Sequence, residues 1–96
     1  MIIVESVGGI PLRLSDEILE HIQDHLYLSI ETVLDAIEYP DFVIPGRDGS
    51  KIAVLNLGRK FWLNILYREF VKKKDGFIIT GFTSTKVNLN KILWER

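Results

Sequence analysis

The spacing of apolar residues along the chain changes character twice, and each change marks a change of predicted structure. Apolar runs over residues 2–7 and 10–14 flank Gly8-Gly9, which predicts a hairpin at the start. From Ser15 the period becomes helical. Ile18, Leu19, Ile22 and Leu26 recur on one stripe, Ser15 stands as the N-cap, and Asp16 and Glu17 suit the positive helix end. Ser29 opens a second helix with the stripe Ile30, Val33, Leu34 and Ile37, and Pro40 ends it because the residue before proline resists helical geometry. Only residues 26–28 link the two helices.

After Pro40 the pattern alternates. Residues 42–44, 52–57, 61–70 and 77–83 read as strands, separated by polar or glycine-bearing turns at 46–50, 58–60 and 72–76. In the tail, Val87, Leu89 and Ile92 suggest an edge strand, and Trp94 is expected to pack against the body. The expected fold is α+β in a single domain, residues 1–96: two N-terminal helices packed on a four-stranded or larger antiparallel β-meander.

Composition changes this picture in two ways. The chain has no cysteine, which excludes disulfides and thiolate metal sites and fits a reducing compartment. The start, MIIVESVGG, has no basic segment or long apolar run, and no stretch approaches the ~20 apolar residues needed to span a bilayer. A cytoplasmic location is the simplest expectation. The net charge of −1 conceals a division. Residues 1–48 hold two basic and ten acidic groups, net −8, whereas residues 49–96 hold ten basic and three acidic groups, net +7. Either the acidic helices neutralise a basic sheet, or the sheet presents an anion-binding face.

Several residues could carry chemistry. His21 and His25 are the two histidines, four apart, and at about 100° per residue both fall on one border of the first helix's apolar stripe. Their spacing would suit a zinc pair, but the run lacks the glutamate of HExxH and no cysteine is available as a third ligand. No metal or other cofactor is expected. In the long strand Phe61, Leu63, Ile65 and Tyr67 should face the helices. Trp62, Asn64, Leu66 and Arg68 form the other face, where arginine can pair an oxyanion and indole can stack on a base. Thr80 falls among apolar neighbours, with Ile78 and Phe82 expected on its own face, while Thr83, Ser84 and Lys86 gather at the strand end. Walker, GxGxxG and GxSxG patterns are absent.

The order of these segments resembles a known group. Leu12-Arg13-Leu14-Ser15-Asp16 leads into a helix bearing His21-Ile22 and His25. Tyr39-Pro40-Asp41-Phe42-Val43 follows the second helix, Leu66-Tyr67-Arg68 ends the long strand, and the late segment reads GFIITGF from Gly76 to Phe82. Over roughly residues 10–86 the chain resembles the small phage- and toxin-associated nucleases of the barnase/EndoU/colicin/RelE-like superfamily. It departs from them at Leu26, where proline is usual, at Arg68, where lysine is frequent, and at Gly81, where alanine is common.

The resemblance implies a metal-independent endoribonuclease, of toxin type, cleaving RNA by attack of the 2′-hydroxyl on the adjacent phosphate. His25, with His21 close behind, would be acid or base. Arg68 would clamp the phosphate, Thr80 would position it with Lys86 or Tyr67, and Asn64 and Trp62 would bind substrate. RNA and an antitoxin protein would be the partners. The alternative is a non-catalytic binding or oligomerisation module that keeps the fold, with the histidines far from Arg68 and Thr80 and an exposed edge or apolar patch forming a homodimer.

Overall fold

The computed structural model describes the backbone of residues 1–96 and every side chain except those of residues 25 and 26. The elements in chain order are β1 (Ile2–Glu5), β2 (Pro11–Leu14), α1 (Asp16–Leu26), α2 (Ile30–Glu38), β3 (Phe42–Pro45), β4 (Lys51–Gly58), β5 (Phe61–Phe70), β6 (Asp75–Ser84) and β7 (Trp94–Glu95). Local signals set most of these boundaries. The Ser15 hydroxyl accepts from the Ile18 amide and the Ser29 hydroxyl from the Thr32 amide, so each serine satisfies one of the donors a helix start leaves unpaired. α1 stops at Tyr27, in the left-handed region at φ 52°, and α2 stops at Tyr39, before Pro40.

The class is α+β, and the expected hairpin, β1 with β2, precedes the helices, but β1 and β2 belong to the same sheet as the later strands, which is mixed rather than an antiparallel meander. Seven strands form one sheet in the order β1-β2-β6-β5-β4-β3-β7. β3 to β6 pair antiparallel in sequence, whereas β2 joins the far side of β6 in parallel, with Arg13 opposite Phe77. This parallel joint follows from the chain's path, since the two helices carry the chain from β2 to the other side of the sheet. The tail differs from expectation as well. Its paired residues are Trp94 and Glu95, against Val43 and Phe42, and not the segment of Val87, Leu89 and Ile92. Trp94 packs against the core as expected.

The core lies between the helices and one face of the sheet. Ile22 of α1 and Val33, Ala36 and Ile37 of α2 meet Leu12, Leu14, Val43, Ala53, Leu63, Ile65, Tyr67 and Ile78. Gly81 marks the closest approach. A Cβ built there would stand 3.0 Å from side-chain carbons of both Ile22 and Ile65. Full burial of side chains such as Leu63 and Ile65 contributes about 1.5–3 kcal/mol each. No helix among the described residues is long and apolar enough to cross a membrane.

Candidate nucleic-acid interface

β5 runs through the middle of the sheet with side chains alternating between its faces. Leu63, Ile65 and Tyr67 are fully buried on the helix side. Trp62, Asn64, Leu66 and Arg68 occupy the opposite face, and β6 adds Thr80, Phe82 and Ser84, paired with Leu66, Asn64 and Trp62. Of these, Asn64 is buried, Phe82 is 43% exposed, and Trp62, Leu66, Arg68 and Thr80 are partly exposed. A β-bulge changes part of the expected pattern. The register slips between Leu66/Thr80 and Tyr67/Ile78, so Ile79 is the extra residue. Thr80 and Phe82 therefore share a face with Phe77, while Ile78 turns into the core, so Ile78 does not lie on Thr80's face.

The residues of this face differ in how free they are. The Trp62 ring sits against Phe42, with centroids 5.9 Å apart and planes at 51°. Phe42 and Trp62 also wall a shallow hollow of about 330 Å³ with Asp41, Asn56, Glu95 and Arg96. The Asn64 amide is committed to Ser84 Oγ at 3.0 Å and to the carbonyls of Phe82 and Trp62. Arg68 donates one guanidinium hydrogen to the Asp48 carbonyl, which fastens the 46–50 loop over this end of the face. Its other donors are uncommitted among the described residues. Lys86 is exposed, just past Ser84, which is bonded to its carbonyl at 2.9 Å.

The other expected site residues lie elsewhere. Tyr67 is in the core, where burial first and the charge of Glu69 second push its phenol well above its ordinary range. α1 packs through Ile22 on Gly81 and Ile65, the face opposite Arg68 and Thr80. His21 is exposed on that helix. His25 belongs to the same helix, but its side chain lies outside the described residues. The sheet thus stands between α1 and the Arg68–Thr80 surface. The structure brings together Trp62, Asn64, Arg68 and Thr80 on one face of the sheet and packs α1, through Ile22, on the other.

Three ion pairs occur among the described residues, and none joins a helix acid to a sheet cation: the N-terminal amine with Asp16, Arg13 with Asp75 at 3.1 Å, and Lys51 with Glu69 at 2.6 Å. Two of the three acids of the basic half, Glu69 and Asp75, are consumed in these pairs. The third, Glu95, lines the hollow beside Trp62 with Asp41. Among the described residues no ion pair involves Arg59 and Lys60 at the β4–β5 turn, Lys86 just past β6, or Lys72, Lys73 and Lys74 beyond Arg68. Phe42, Phe82 and Asn56 are the members of this surface that periodicity did not single out. Their place on it depends on cross-strand register.

No protein-family model, curated protein or solved structure matches this chain. The functional reading rests on the residues and their geometry.

Proposed function

We propose that the chain binds single-stranded RNA on the face of the sheet opposite the helices, without cleaving it. One observation carries this reading: Trp62, Arg68 and Thr80 share that face between two groups of cations that form no ion pair among the described residues. Single strands are held by aromatic rings on which bases stack and by cations that track the phosphates, and each stacked base is worth about 1–3 kcal/mol. Trp62, with Phe82 nearby, would provide the stacking surface. Arg68, Lys86 and the Arg59-Lys60 turn would meet phosphates, and the Thr80 hydroxyl would accept or donate a hydrogen bond between them.

The rival is the endoribonuclease, in which a histidine supplies the acid or base beside the Arg68 phosphate. It would need α1 and Arg68 to act on one phosphate from opposite faces of the sheet, and acid–base catalysis requires hydrogen-bond reach. The test uses a short fluorescein-labelled oligouridine. Anisotropy should rise with the full chain, fall with added salt, and weaken about 5- to 150-fold in Trp62→Ala, while gels show intact RNA. Absence of binding, or binding indifferent to Trp62→Ala, rejects the proposal. RNA cleavage that disappears in His25→Ala and Arg68→Ala replaces it with the endoribonuclease.

A further inference from the structure

A second surface lies where the two edges of the sheet approach one another, and it shares Arg96 with the hollow beside Trp62. β1 and β7 are the terminal strands, and each pairs on one side only. Both border a cleft of about 600 Å³, so the sheet is curled enough to bring its first and last strands to one cavity, with the end of α2 between them. Ile3 and Glu5 line it from β1, Glu38 and Tyr39 from the end of α2, and Trp94 and Arg96 from β7 and the residue after it.

Two features of the cleft point to an occupant. The first is the edge itself. The Ser6 amide, just past β1, donates to the Ile10 carbonyl, so Val4 and Ile2, in phase with Ser6, are the β1 residues bonded to β2. Alternation then turns the N–H and C=O groups of Ile3 and Glu5 to the unpaired side. The second is charge. Among the described residues Glu5 and Glu38 form no ion pair or hydrogen bond, and Tyr39 and Trp94 line the same cleft. Carboxylates next to aromatic faces favour an organic cation, through Coulomb attraction and cation–π contact together. Arg96 offsets one of the two negative charges and leaves the cleft acidic.

We propose that this cleft binds an extended segment of a partner protein that carries arginine or lysine. The segment adds to the open edge of β1 and places its cationic side chain between Glu5 and Glu38, beside Tyr39 and Trp94. Strand addition takes affinity from main-chain bonds and selectivity from alternate side chains, which is the combination offered here. The proposal is independent of the RNA reading because it uses other residues of other strands.

The test titrates the full chain with a five-residue peptide alternating valine and arginine, capped at both ends, and with its glutamate counterpart, by calorimetry and amide hydrogen exchange. The arginine peptide should bind at least about tenfold more tightly than the glutamate peptide. Exchange at Ile3 and Glu5 should slow in the complex, and Glu5→Gln with Glu38→Gln should remove most of the preference while oligouridine binding stays unchanged. Circular dichroism of the double variant checks its fold, and the peptide charge swap stands without it. Equal binding of the two peptides, an unaltered preference in the double variant, or unslowed amides at Ile3 and Glu5 would overturn the proposal. So would self-association that protects those amides before peptide is added, since the edge would then belong to a second copy.

Discussion

The two faces of β5 are built from one strand and do opposite work. Leu63, Ile65 and Tyr67 point at the helices and lose all contact with water, whereas Trp62, Leu66 and Arg68, one residue out of phase, remain partly wet. On the helix face a residue is specified by volume, because interiors are close-packed and a missing methyl group is felt. On the open face aromatic and basic side chains stand beside one another with few obligations to the fold. Arg68 with the Asp48 carbonyl, Asn64 with Ser84 and Trp62 with Phe42 are exceptions, and Val54 beside Asn64 is fully buried. Large side chains held partly exposed by a rigid strand are available to a ligand, and the difference between the faces is best measured by truncating each.

Ile65→Ala should have the largest effect. Ile65 is fully buried and touches Ile22 over Gly81, so its truncation leaves a cavity and should cost about 2–5 kcal/mol in urea denaturation. Phe82→Ala, on the open face at 43% exposure, should cost well under half as much. Equal losses would mean that the open face is also core, covered by something that the two helices do not provide.

Lys51→Met comes next and probes the margin of the covered face. The Glu69 carboxylate is only 4% exposed and is held by Lys51 at 2.6 Å and by the Ser6 hydroxyl. Removing the cation strands a buried charge, which for a wholly buried pair costs about 3–5 kcal/mol. Lys51 is 37% exposed, so solvent screening reduces the expected loss to about 1–2 kcal/mol. Replacing Glu69 with Gln in the same background should recover part of it. A Lys51→Met protein as stable as the parent would show that Ser6 alone satisfies the carboxylate.

What could be read from the sequence divides along the same line. The caps Ser15 and Ser29, the stop at Pro40 and the alternation of β5 are local signals, and each needs only neighbours within a few residues to act. The side of the sheet on which α1 would lie was not legible. It depends on β2 joining β6 in parallel, at a register of Arg13 with Phe77, which no local pattern encodes. The bulge at Ile79 is similar. Phe77, Ile78, Ile79 and Thr80 are all acceptable in a regular strand, and only pairing with β5 reveals the extra residue. Trp62, Asn64, Arg68 and Thr80 were legible as a group because three of them share one strand's alternation. The resemblance puts the histidines at the same site, whereas α1 packs through Ile22 on the other face of the sheet.

Tyr67 allows the covered face to be followed by pH. Burial, and then Glu69, hold its phenol protonated in the folded state well above the ordinary value of 10.0. The unfolded chain releases that proton first, so it binds fewer protons than the folded chain above about pH 10. The stability contributed by the neutral phenol is therefore complete below that pH and declines as pH rises. Urea midpoints measured between about pH 9 and 11 should fall more steeply for the parent than for Tyr67→Phe. Parallel slopes would place the phenol in contact with water and contradict its burial.

The smallest effect expected is at Arg68, where one side chain serves both the fold and the proposed ligand. Its bond to the Asp48 carbonyl joins the 46–50 loop to β5, and a single hydrogen bond at a partly exposed site contributes about 0.5–1.5 kcal/mol net. Arg68→Ala should thus lower stability by less than Lys51→Met does. If Arg68 also meets a phosphate, the slope of log affinity for oligouridine against log salt should become shallower by about 0.7, the value for one phosphate contact on a single strand. Arg68→Lys separates the two roles. Lysine keeps the charge and so the salt slope, but it lacks the guanidinium's fixed fork and should not restore the loop contact in full. A salt slope unchanged in Arg68→Ala would leave Arg68 as a loop fastener alone and shift the phosphate contacts to the Arg59-Lys60 turn and Lys86.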